Sequence, residues 1–172
     1  MLGEKIEKAF NAQLNAEGWS AYLYLSMSAW FSSQNLPGLA NWMRVQAREE
    51  MVHAMKFFDY IQSRGGRVNL TEVAAPSFEW KTPLDAFENV LAHERKVTGL
   101  IHALVDLAAA EKDHAASSFL RWFVDEQVEE EESAEAAVCK LKLAGDAPGG
   151  LFLLDREMAE RVFTPPAGSK DA

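Results

Sequence analysis

The sequence predicts an all-α fold: an antiparallel four-helix bundle with one long crossover and a short fifth C-terminal helix. Three observations carry this. All six prolines (Pro37, Pro76, Pro83, Pro148, Pro165, Pro166) fall between or beyond the long periodic segments. Proline removes a helix donor and clashes with the preceding turn, so this spacing permits long unbroken helices. Apolar side chains recur at helical intervals, and no alternating strand pattern of useful length is present. The four long segments run to about 27–30 residues, or ~40–45 Å of helix, a length that suits a bundle.

The first helix is expected over about 4–33 and the second over about 38–64, ending at Gly65-Gly66. Roughly 18 residues containing Pro76 follow, long enough to cross the bundle. The third helix is expected over about 83–111, with Thr82 as N-cap, Pro83 in the first position and Asp85 at N3. Asp113 can cap the fourth, over about 113–143, and Gly145 stops it. The first pair and the last pair are joined by short links, which makes each an antiparallel hairpin. A short fifth helix over about 150–160 opens with Pro148-Gly149-Gly150. One domain over 1–163 is the reading, with a short polar tail, 164–172, expected to be disordered.

Composition bounds the function. The chain has 172 residues, 48% hydrophobic and 25% charged, with 26 acids against 17 bases and a net charge of −9. That suits one domain with a full core. The acidity argues against nucleic acid or an anionic membrane as partner and leaves cations open. A single cysteine, Cys139, excludes an intramolecular disulfide and a cysteine-based metal cluster within one chain. The N-terminus, charged from Glu4 and Lys5, lacks the look of a signal peptide. The apolar runs fall short of a membrane helix. A cytoplasmic protein is the expectation.

Certain carboxylates lie on the wrong face for solvation. Glu17 has Phe10 and Tyr24 seven residues to either side, and Glu50 has Met43 and Phe57. Glu94 lies between Phe87 and Ile101; Gln127 follows Leu120 and Glu130 follows Phe123 at the same offset. Residues seven apart share a helix face, so these polar groups sit in the apolar stripe. No Lys or Arg occupies the stripe positions named, and a buried carboxylate without a partner is costly, so a cation is the obvious partner.

The spacing repeats. Glu17 to Glu50 is 33 residues, as is Glu94 to Gln127, and the two halves are offset by 77 (94 − 17 = 127 − 50 = 130 − 53). Two helical hairpins facing each other across a pseudo-twofold axis would place such residues together. Glu50 and His53, at i and i+3, can project to one point. Oxygen-rich ligation with one clear imidazole suits iron or manganese better than a structural zinc site. A denser acidic run follows: six of the eight residues from Asp125 to Glu132 are acidic. Glu131 and Glu132 read as a solvated face. Glu126, Glu129 and Glu130, with Glu49, can form a further cation site on the inner flank.

These residues resemble the non-haem ferritins of bacteria and archaea, within the ferritin-like di-iron carboxylate proteins, from about Lys5 to Phe163. Gln13-Leu-Asn-Ala-Glu17, Tyr22-Leu-Tyr24, Glu49-Glu50-Met-Val-His53-Ala-Met, His93-Glu94 and the stretch from Phe119 to Glu132 carry the likeness. The resemblance implies a ferroxidase centre that oxidises Fe(II) with O2 or peroxide and passes ferric ions to a stored mineral. Its first iron site would use Glu17, Glu50 and His53. Its second would use Glu94, Glu130 and a bridging Glu50, with Gln127 as a hydrogen-bonding neighbour. A third would draw on Glu49, Glu126, Glu129 and Glu130. Tyr24 would stand beside the centre. The resemblance also implies a homo-oligomeric shell of 24 subunits, with the fifth helix packing at an inter-subunit axis. An electron donor for iron release has no signature in the sequence.

Two related classes are the alternatives. Haem-binding bacterioferritin would use a methionine near Met51 but has Glu-x-x-His in both halves, where this chain has Gln127-x-x-Glu130. Haem is therefore not expected. A rubrerythrin-like di-iron peroxidase would add a Cys-x-x-Cys iron domain that one cysteine cannot supply. Gly18, mid-helix beside Glu17, departs from the family's larger apolar residue; close helix approach or local mobility would account for it. His93 reads as a half-exposed structural histidine.

Overall fold

A computed structural model of the chain describes residues 1–145 and 148–165; the tail expected to be disordered lies outside these from Pro166 on. Five helices follow in order: α1 (Glu4–Ser33), α2 (Pro37–Ser63), α3 (Pro83–Ala110), α4 (His114–Ala144) and α5 (Pro148–Met158). The described residues contain no strand. Expected and observed boundaries agree within two residues. Pro37, Pro83 and Pro148 stand at the start of their helices, where the absent N–H has no partner to lose.

The caps are those the sequence announces. Thr82 Oγ1 accepts from Asp85 N at 3.0 Å, and Asp85 Oδ2 accepts in return from Lys81 N. Asp113 Oδ1 accepts from Ala116 N at 3.0 Å. Asn35 and Lys112, just beyond α1 and α3, carry left-handed φ values of 58° and 54°. They turn the chain into each short link.

The crossover after α2 is laid against α1 by a ladder of α1 side chains. Asn11 donates to Arg67 O and accepts from Asn69 N; Asn15 donates to Asn69 O and accepts from Thr71 N. Further along, Trp19 Nε1 reaches Ala74 O and Ser26 Oγ reaches Ser77 O. Asparagine presents one acceptor and one donor like a peptide group, so a crossover segment outside any helix has backbone groups satisfied by one helix face.

Two apolar clusters fill the bundle. One gathers Tyr24, Met27, Phe31, Met43, Phe87, Val90 and Ala134. The other gathers Phe10, Leu14, Phe57, Val97, Leu120 and Phe123. Between Leu14 and Ala21, Ala47 and Ala54, Leu91 and Val97, and Phe123 and Ala134, each long helix crosses a level where the buried side chains are polar. That level interrupts the core at mid-bundle.

α5 packs on α2 and α4 of the same chain. Gly38 makes this possible: a Cβ there would sit 1.6 Å from Asp155 O, so α5 touches the α2 backbone directly. Asp155 Oδ1 also accepts from Leu39 N at 2.9 Å. Among the described residues no helix is long and apolar enough to cross a membrane.

Candidate metal centre

The polar level holds Glu17, Glu50, His53, Glu94, Gln127 and Glu130, none more than 6% exposed. All four long helices contribute, each through the stripe position its neighbours seven residues away define. Ligand atoms of Glu17, Glu50 and His53 lie within 4.8 Å of one another, and so do those of His53, Glu126 and Glu130. His53 joins the two groups, with Nδ1 3.6 Å from Glu50 Oε2 and Nε2 3.7 Å from Glu126 Oε1. Its ring is held edge-on by Trp122 and Phe123.

Side-chain amides and a phenol orient the carboxylates. Gln13 Nε2 donates to Glu17 Oε1 at 2.8 Å, and Gln46 Nε2 to Glu130 Oε2 at 2.5 Å. Tyr24 donates its hydroxyl to Glu94 Oε1, and Gln127 Nε2 lies 3.4 Å from Glu94 Oε2. The second oxygens of Glu17 and Glu50 are buried with no hydrogen-bond partner. Orphaned carboxylate oxygens at mid-core are costly unless a proton or a cation is supplied.

The proton affinities reflect that cost. Burial, then the neighbouring Glu50, pushes Glu17 up to about 8. Burial pushes Glu50 up to about 7, against the opposing pull of His53. Burial and Glu130 push Glu94 up to about 8. Glu130 is raised by burial as well. Burial alone would lower His53, yet Glu126 and Glu50 hold it well above its ordinary value. Four carboxyls crowded round one imidazole in a desolvated layer hold protons that a divalent or trivalent cation can displace, and once ionised they match its charge.

The chain's likeness to known proteins is close. The ferritin-like domain of the ferritin family matches residues 7–144. The bacterial non-heme ferritin of Bacteroides fragilis is 48% identical over 161 residues, covering 94% of this chain and 100% of that protein. That of Staphylococcus saprophyticus is 40% identical over 163 residues, covering 95% and 98%. The chain belongs to the ferritin family. Among solved structures, an Archaeoglobus fulgidus ferritin engineered to a closed form superposes with a TM-score of 0.94 at 53% identity, covering 95% of this chain and 100% of that one. An open-pore ferritin of the same archaeon gives 0.93 at 52%, covering 94% and 99%. Its similar relatives place the chain among the non-haem, bacterial and archaeal ferritins.

Within this ferritin, the expected residues are not all brought together. Glu17, Glu50 and His53 meet as the spacing implies. Glu50, Glu94 and Glu130 do not form a comparable triad: Glu94 is turned to Tyr24 and Gln127, and Glu130 to Gln46. Glu126 and Glu130 do reach the inner flank. Glu49 beside them is engaged by Arg161 at 2.6 Å. Glu129, expected on that flank, is exposed and belongs to neither group, because it falls one position short of the inward-facing Glu130. Met51, the position compared with a haem ligand, is half-exposed.

Gly18 is not a point of close approach, since a Cβ there would meet nothing within 4 Å. His93 is partly buried, as expected, with Nε2 2.7 Å from Ser20 Oγ. Desolvation, then Lys96, lowers it to about 4, which keeps it neutral.

Sequence reasoning named Gln13 within a motif without giving it a role, and it missed Gln46 and Arg161. The two glutamines carried a signal: they lie four residues before Glu17 and Glu50, and they share the same interval of 33.

Proposed function

We propose that the chain is an iron-storage ferritin that oxidises Fe(II) at this mid-bundle site and retains the ferric product as mineral inside a homo-oligomeric shell. The observation that carries the reading is the buried triad Glu17, Glu50 and His53, with two carboxylate oxygens that accept no hydrogen bond. Iron is substrate and cargo here. Glu17 and His53 bind one Fe(II), Glu94 and Glu130 a second, and Glu50 bridges them. The second ion draws Glu94 from Gln127 and Glu130 from Gln46, so amide donors give way to cation. Two Fe(II) supply two electrons to one O2, and the carboxylates balance the charge that rises on the metals. Tyr24 orients Glu94, and Gln127 holds its other oxygen until the second ion arrives.

Glu126 and Glu130, with His53 shared and Glu49 adjacent, form a third cation site leading away from the centre; the exposed Glu129 contributes charge at its mouth. Tyr22, Leu25, Leu70, Val73 and Phe78 stand exposed along α1 and the crossover, an apolar face of the kind subunit contacts cover. The resemblance implies 24 subunits; the acidity and the apolar pattern support a cytoplasmic protein with no nucleic acid or membrane as partner, and Gln127-x-x-Glu130 supports no resident haem.

Adding Fe(II) in air to the metal-free protein tests the reading through its near-ultraviolet ferric absorbance. Rapid oxidation in the parent, slowed at least 10–100-fold in Glu17→Ala and Glu50→Ala, is the expected result. Equal rates in parent and variants would overturn it.

A further inference from the structure

Beyond Met158 the chain runs back along α2 toward the acidic flank. Asn41 Nδ2 lies 3.5 Å from Met158 O, 3.3 Å from Ala159 O and 2.9 Å from Arg161 O, which fixes the path. The Arg48 guanidinium lies 4.3 Å over the Phe163 ring and holds the far end. Between these anchors Arg161 turns inward. Its guanidinium lies 4.3 Å over the Trp42 ring, and Nη2 donates to Glu49 Oε2 at 2.6 Å. Nη1 is buried and has no hydrogen-bond partner among the described residues.

This arrangement is unusual for a permanent structural pair. An arginine held for stability alone commonly forms a two-point fork on its carboxylate, whereas here one terminal nitrogen is engaged and the other is left over. Glu49 adjoins Glu50, and His53, one turn further along α2, meets Glu126 and Glu130. The guanidinium therefore occupies the edge of the acidic group where a metal cation would seek an additional oxygen.

We propose that Arg161 is a built-in counter-cation that competes with metal ions for the Glu49 carboxylate, so that loading the accessory site made by Glu49, Glu126 and Glu130 displaces it. Arg161 is a positioning residue, acting through Glu49. The inference rests on the proposed function, because it presupposes that the mid-bundle carboxylates take up cations. One consequence is a graded order of filling. The Glu17, Glu50 and His53 triad fills first, and the accessory site fills only when free cation is abundant enough to release the guanidinium.

Zn(II), which undergoes no oxidation, is the probe. Calorimetric titration of the metal-free, full-length protein should resolve a tight class of sites, removed by Glu17→Ala, and a weaker class. Arg161→Gln should tighten the weaker class about tenfold while leaving the tight class in place, and Arg161→Lys should behave like the parent. In a Glu49→Gln background, Arg161→Gln should have no effect. Hydrogen exchange supplies a second arm. Zn(II) at concentrations that fill the weaker class should speed exchange in residues 159–163, and Glu49→Gln should do so without metal. A weaker class unmoved by Arg161→Gln, or both classes shifted alike, would overturn the proposal and leave the proposed function standing. Absence of a tight class that depends on Glu17 would overturn both. Should Arg161→Gln fail to assemble, unchanged exchange at 159–163 in Glu49→Gln decides against the proposal.

Discussion

The mid-bundle carboxylates of Glu17, Glu94 and Glu130 are held by neighbouring donors and pressed by one another. Tyr24 illustrates the first. Tyr24→Phe removes the hydroxyl that Glu94 Oε1 accepts and leaves that oxygen buried without it. The expected cost is about 1–3 kcal/mol of stability in the metal-free protein, measured by denaturant unfolding. The crowding appears in pH dependence. Glu17, Glu50 and Glu94, at about 8, 7 and 8 in the folded protein against an ordinary 4.5, keep protons that the unfolded chain releases. The stability they contribute is fully present below pH 4.5 and is lost as pH rises through 7 to 8. His53, raised above its ordinary value, pulls in the same direction. The thermal midpoint of metal-free protein should therefore fall across that window. Saturating Zn(II) should flatten or reverse the slope, because the cation replaces the protons. A metal-free midpoint that rises over the same range would contradict the burial argument. The main residues of this site were legible because they break a pattern: an acid at an apolar stripe position stands out without any structure. Gln13 and Gln46 were less visible, since a buried glutamine offends the pattern less than a buried glutamate.

Among the elements, the long helices follow from prolines, caps and period, and the contacts of the short one do not. Nothing local to Gly38 announces that α5 lies against it; the need appears only when Asp155 O is found where a side chain would go. Gly38→Ala should detach α5, seen as faster hydrogen exchange over Pro148–Met158 with α1, α3 and α4 still protected. Gly18 provides the contrast. With open space at its Cβ position and helical neighbours, Gly18→Ala should stabilise the protein by about 0.5–1 kcal/mol, read by chemical unfolding. A loss of stability there would mean that a neighbouring subunit approaches this point. Arg161 was hidden for the same reason as Gly38. Its significance depends on where a short segment after α5 returns, and sequence period carries no information about that.

Over the whole molecule, the acidity has a location. Six of the 26 acids (Glu17, Glu49, Glu50, Glu94, Glu126 and Glu130) lie in or beside the mid-bundle site; setting them aside leaves 20 acids against 17 bases. Most of the excess of acids over bases thus faces the proposed cations instead of a generic surface. The exposed apolar face along α1 and the crossover has a similar reading at the level of assembly. Twenty-four copies of a 19.2 kDa chain (24 × 19.2) would make a particle of roughly 460 kDa, and light scattering on the purified protein should find it. A stable monomer would remove the shell from the account. The site itself is tested most directly by diffraction from crystals loaded with Fe(II), recorded on both sides of the iron absorption edge. Anomalous peaks are expected inside the bundle, one among Glu17, Glu50 and His53 and a second among Glu50, Glu94 and Glu130. Iron confined to the protein surface, with no peak in contact with Glu17 or Glu50, would contradict the proposed site.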